Sequence, residues 1–111
     1  MTRTIQLKKE PPADVAQMIY SAYSIPPSTE QAEALCAYAQ MQAMFGKVEQ
    51  AEAVYDCALN IALEAGGPDD PVVISIKKHY SVLLRNSGRE KEADAMHRQV
   101  KAASGDKPGP N

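Results

Sequence analysis

The chain has 111 residues and a net charge of −2, so neither nucleic acid nor an anionic membrane gains a general electrostatic attraction to it. With one Phe and no Trp, the core cannot rest on large aromatic plugs and must be built from Ala, Leu, Val, Ile, Met and Tyr at close helix spacing. The length suits one domain with a modest core.

Residues 1–11 alternate only weakly around Ile5 and Leu7 and end in a charged run, which reads as a flexible N-terminal arm. From Pro12 the pattern turns helical: Val15, Met18, Ile19, Ala22 and Tyr23 fall on one face, and Ile25-Pro26-Pro27 closes a short helix over 12–24. Ser28 followed by Gln31 resembles a capping box and opens a helix to Phe45. Ala32, Leu35, Ala39 and Phe45 form a stripe there, and Cys36, Ala37, Met41, Ala43 and Met44 leave little of the circumference polar, so this helix is expected to be buried on more than one side.

Gly46 suits a left-handed stop. The next helix, about Val48 to Ala65, carries a wide apolar face and is also expected between neighbours. In Gly66-Gly67-Pro68-Asp69-Asp70-Pro71, Asp70 reads as an N-cap and Pro71 as a first helical residue, with no spacing of oxygen ligands for calcium. Val72 to Ile76 is β-rich in composition, yet an internal repeat overrides that reading. Gly46 and Gly88 lie 42 positions apart, and the same offset pairs Tyr38 with Tyr80, Ala51 with Ala93, Ala53 with Ala95 and approximately Glu52 with Asp94. Residues 71–87 are therefore expected as the first helix of a second hairpin. The last helix, about Arg89 to Ala103, has a narrow stripe of Ala93, Met96, Val100 and Ala103, as suits an end helix with one neighbour. The tail 105–111 is expected to be disordered.

The predicted fold class is all-α, an α-α superhelix of antiparallel hairpins with about five helices: an extra helix at 12–24, repeat one at about 29–65 and repeat two at about 70–103. In this register the chain resembles the tetratricopeptide repeat proteins, and more narrowly the 42-residue variety of kinesin light chains, through Gly46, Ala51, Tyr55, Ala58 and Leu59, then Gly88, Arg89, Glu92, Ala93 and Asp94. The linker AGGPDDPVV is similar to the family's Gly-Pro-Asp-His-Pro connection, with Asp70 where His is usual. Gln42 and Leu84 depart from a usual Tyr, and Val100-Lys101 from a usual Ala-Leu. Only two full repeats are present where about three normally bury a continuous core, so the helix at 12–24 is expected to supply the missing layer, in its own chain or in a partner molecule.

The resemblance implies a concave surface, lined by the first helix of each hairpin, that binds a protein or peptide. Its groove positions map onto Glu33, Cys36, Gln40, Ala43 and Met44, and onto Ser75, Lys78, Val82, Arg85 and Asn86. Gln40, Met44, Lys78, Val82, Arg85 and Asn86 are the candidate partner-binding residues, and Lys78, Arg85 and Asn86 together could hold a carboxylate. The alternative is homodimerisation through the apolar faces of helices 12–24 and 29–45, since so short a stack leaves an uncovered end.

No enzymatic, cofactor or metal constellation accompanies these features. His79 and His97 are 18 residues apart, and the repeat sets His97 at the position of Tyr55, as a helix-packing residue. Cys36 and Cys57 form no CxxC and read as buried reduced thiols. No apolar run has the length of a membrane span and the N-terminus lacks a secretory core, so the expected location is a reducing cytoplasm, with nucleic acid and membrane excluded as partners and a homo-oligomer left open.

Overall fold

The computed structural model describes residues 10–103, which form five helices and no strand: α1 (Ala13–Tyr23), α2 (Thr29–Met44), α3 (Val48–Gly66), α4 (Pro71–Asn86) and α5 (Glu90–Ala103). The tail expected at 105–111 and nearly all of the arm expected at 1–11 lie outside the described residues; Pro11 is buried. The chain is an all-α stack of two antiparallel hairpins, α2–α3 and α4–α5, with α1 added at the start.

Local chemistry sets each boundary. Ser28 caps α2 by accepting from the Gln31 amide at 3.1 Å. The other half of the expected capping box is absent, because the Gln31 side chain instead donates to the Ala22 carbonyl at 3.0 Å and ties α2 to the end of α1. Asp70 accepts from the Val72 amide at 2.8 Å with Pro71 in the first turn, and this start carries the β-branched run into α4, where Val73 and Ile76 face the core. Both hairpins turn in the same way. Gly46 and Gly88 have φ of 78° and 81°, and the residue after each donates back to the last helical turn, Lys47 to Gln42 and Arg89 to Leu84, both at 2.9 Å.

Helix α3 is the centre of the stack and packs against α1, α2 and α4. Ala32, Ala39, Ala51, Ala58 and Ala62 are fully buried, and their small side chains let these backbones approach closely. Helix α1 runs parallel to α3, with Gln50 donating to Asp14 at one end and Asn60 to the Tyr23 hydroxyl at the other, and α3 is the only helix that its backbone packs against. The missing layer is thus supplied within the chain, by α1 laid on α3. Helix α2 is buried against both α3 and α4, on more than one side as its composition suggested, and one flank is left open: Ala34, Ala37, Met41 and Phe45 are exposed, as is Met44 beside them. His97 is exposed as well, because no further helix lies beyond α5 among the described residues.

A polar joint links the hairpins. The Tyr80 ring stacks on Tyr55 with centroids 5.2 Å apart, and its hydroxyl donates to Asp56 at 2.8 Å. Arg89, just past the second turn, reaches back to the buried Glu52 with two bonds of 2.7 and 3.0 Å and also grips Glu92. The hydrogen bonds that the Arg89 guanidinium donates to Glu92 and Glu52 push it well above its usual range.

Replacing Arg89 by Met withdraws the guanidinium from a carboxylate that stays buried, and should cost about 2 kcal/mol of stability, less than a fully buried pair because Arg89 is partly solvated. A shifted urea midpoint with an unchanged slope would show it, and an unmoved midpoint would contradict it. Burial pushes Tyr23 and Tyr55 from 10.0 up to about 12, and burial with the nearby Asp56 pushes Tyr80 higher still. These phenols hold their protons more tightly folded than unfolded, so their contribution is complete below pH 10 and is lost as pH rises through about 12. In an alkaline titration, tyrosinate absorbance should rise together with loss of helical dichroism. Normal ionisation of all the tyrosines with helicity intact would be the opposing result.

Candidate functional site

The first helices of the two hairpins, α2 and α4, lie side by side and parallel, as the order of their contacts shows. Near the middle of α2, Cys36 meets His79 of α4, with Sγ and Nδ1 4.0 Å apart. Farther along, the helices diverge around a groove of about 440 Å³. Gln40, Ala43 and Met44 line it from α2; His79, Val82, Leu83 and Asn86 line it from α4; Tyr55 and Val48 of α3 and Ser87 complete it.

No carboxylate, Lys or Arg lines this groove. Met44 is 84% exposed and Val82 56%, large apolar side chains facing water on opposite walls of the groove. The amides of Gln40 and Asn86 also line the groove, each able to donate and accept. The groove runs toward the C-terminal ends of both α2 and α4, so the two macrodipoles present partial negative charge at the same mouth, which favours N–H donors or a cation over a carboxylate.

His79 stands on a wall of the groove, and Cys36 lies beside it at the near end. His79 Nδ1 lies 2.9 Å from the Ser75 carbonyl, an acceptor only, so this nitrogen carries a hydrogen and donates it. Burial pushes the Cys36 thiol up, with Glu33 adding in the same direction and the Gln40 amide, 3.6 Å from Sγ, opposing them. Neither Cys36 nor Cys57 is in a disulfide, and both are buried. Among the described residues there is no group of three or more His, Cys, Asp and Glu placed to hold a metal, and no helix is long and apolar enough to cross a membrane.

Of the candidate partner-binding residues, Gln40, Met44, Val82 and Asn86 come together in the groove, and Lys78 and Arg85 do not. Lys78 is exposed about a quarter of a turn round α4 from the lining residues. Arg85 is on the same outer side, bonded to Asp94 of α5 at 3.2 Å. The expected trio of Lys78, Arg85 and Asn86 is therefore dispersed. The reason is geometric: the repeat-equivalent pairs Gln40 with Val82 and Met44 with Asn86 lie on the face that both helices turn to the groove, whereas Lys78 and Arg85 repeat Cys36 and Ala43, which lie toward the following first helix, and no such helix follows α4 among the described residues. Lys78 is the repeat equivalent of Cys36, and Cys36 faces the following first helix; Lys78 points where a further repeat would stack. Ala43, Val48, Tyr55, His79, Leu83 and Ser87 join the site from outside the candidate set; His79 and Leu83 are the 42-residue equivalents of Ala37 and Met41, on the edge of α4 toward α2, while Val48 and Tyr55 come from α3.

A family model described as tetratricopeptide repeat matches residues 30–104. Comparison with curated proteins and with solved structures returns no match.

With both thiols buried and that of Cys36 held protonated, an alkylating reagent at neutral pH should label Cys36 and Cys57 only as the chain unfolds, at a rate that follows denaturant. Rapid stoichiometric labelling of Cys36 in the native chain would contradict this.

Proposed function

The chain belongs to the tetratricopeptide repeat family, whose members generally serve as protein–protein interaction modules, and on that premise we propose that the groove between α2 and α4 binds a segment of a partner protein carrying an apolar anchor and few acidic residues. The observation that supports this most directly is the uncharged lining: Met44 and Val82 offer an apolar clamp, Gln40 and Asn86 offer directional bonds to a peptide backbone, and the helix C-termini disfavour a carboxylate at the mouth. An anchor side chain entering between Met44 and Val82 would shed water from both, while the amides fix its direction without selecting a charge. Ser87 and the Nε2 of His79 add further polar contacts at the walls. Lys78 and Arg85 stand outside the contact.

The test is selection of peptides from a random displayed library on the full chain, followed by affinity measurement on variants of unchanged helicity. Selected sequences should be rich in Leu, Ile, Met or Phe at a fixed position and poor in Asp and Glu. Val82→Glu, which sets a charge in the clamp, and Asn86→Ala should each weaken binding at least about tenfold, while Lys78→Glu leaves it within about twofold. Binding that is lost on Lys78→Glu and indifferent to Val82→Glu and Asn86→Ala would overturn the reading in favour of an acidic ligand on the outer side of α4.

A further inference from the structure

We infer that the exposed flank of α2 is an interface between two copies of this chain, packed about a two-fold axis with their α2 helices antiparallel. The inference is independent of the groove reading. The surface consists of Ala34, Ala37, Met41 and Phe45, which follow one stripe of the helix and are all exposed, with Met41 46% and Phe45 72% accessible. Helix α1, which precedes α2 among the described residues, has its apolar residues Val15, Ile19, Ala22 and Tyr23 buried in its own chain's core and packs its backbone on α3. Its part in the expected dimer face is thereby removed, and that of α2 remains.

The internal repeat indicates what kind of element covers such a flank. Displaced by 42 positions, Ala34, Ala37 and Met41 become Ile76, His79 and Leu83. Ile76 and Leu83 are buried, and His79 touches Cys36: this is the edge of α4 that lies toward α2. The open flank of α2 is thus built as a seat for another helix of the same class. Two arrangements of a second copy could fill it. In a head-to-tail stack the outer side of α4 would cover it, but that side carries Lys78, and Arg85 drawn toward Asp94, and would place these charges against Ala34, Ala37 and Met41. The apolar flank of one copy is matched by the same flank of the other, which is the isologous solution.

The sequence along the stripe fits that solution in size and charge. An axis crossing near the level of Ala39 sets Ala37 against Met41 of the second copy and Ala34 against its Met44, small side chains opposite long flexible ones at each step. The same register brings exposed Glu30, in the first turn of α2, beside exposed Lys47 just past the end of the other α2, twice by symmetry. Antiparallel helices also align their dipoles favourably.

Sedimentation equilibrium of the full chain tests this. The expected result is a monomer–dimer equilibrium, with Met41→Glu raising the dissociation constant at least about tenfold at unchanged helical dichroism. Glu30→Lys should weaken the dimer, and the double variant Glu30→Lys with Lys47→Glu should restore it; that rescue separates pairing across the interface from a general change in solubility. Val82→Glu, in the groove, should leave the dimer intact. A chain that stays monomeric at high micromolar concentration, an assembly that grows past two copies, or a dimer indifferent to Met41→Glu would each overturn the proposal. So would a monomer that dimerises only after removal of residues 1–9, since the chain's own N-terminal segment would then be the occupant.

Discussion

The packing of α4 onto α3 through Tyr80 is the constraint from which the rest of the architecture follows. A tyrosine buried at the meeting of two hairpins must satisfy its hydroxyl, and Asp56 accepts that bond from a helix of the preceding repeat. The ring is fixed by stacking on Tyr55 and the hydroxyl by Asp56, so α4 has one rotation and one height relative to α3. That single placement sets the divergence of α2 and α4, and hence the groove. Arg89 reinforces it from the other side of the turn by joining the start of α5 to the buried Glu52. A polar joint of this kind adds little net stability over a well-packed apolar one, but it penalises every other register by leaving a buried carboxylate and phenol badly paired.

Alanine plays the complementary part. Where α2 meets α3 and α4 meets α5, the fully buried positions include Ala32, Ala39, Ala51, Ala58 and Ala93, so each hairpin closes by backbone proximity. This close approach explains how a chain with one Phe and no Trp assembles a continuous core across five helices. It also explains why α2 can be apolar around much of its circumference without being enclosed: small residues serve on the hairpin side and on the open flank alike.

Most of the fold was legible in the sequence because repeat and local chemistry agree at one offset. Gly46 and Gly88, the Ser28 and Asp70 caps, and the Tyr38–Tyr80 correspondence all locate boundaries, and together they outweigh the β-rich run at Val72 to Ile76. The site was legible only in part. Gln40, Met44, Val82 and Asn86 converge in the groove because they lie near the facing edges of both helices, whereas Lys78 and Arg85 repeat the edge of Cys36 and Ala43 and so face away from α2. Two features carried no one-dimensional signal. Glu52 and Arg89 are 37 residues apart, off the repeat period, and their pairing appears only when α3 and the second turn are set side by side. Whether α1 would lie on α2 or on α3 depended on Asn60 and Gln50, polar residues that mark no helix periodicity.

The two ends of the first-helix layer differ in a way that gives the stack a direction. At the far end, the outer side of α4 exposes Ser75 and Lys78 and sends Arg85 to Asp94, and α5 shows solvent a mostly charged surface with only Ala93 and Val100 fully withdrawn. Such a surface is at home in water and would lose hydration if another repeat were stacked on it. At the near end, Ala34, Ala37, Met41 and Phe45 are exposed without a charge among them. A solenoid of identical units would be capped alike at both ends or would polymerise; this chain has its polar cap on one side only. The groove lies between α2 and α4, on the edge of α2 away from the open flank, and Met44 stands at the border of the two surfaces. Contact made on the flank would therefore leave the groove open, since the two surfaces meet only at that one flexible side chain.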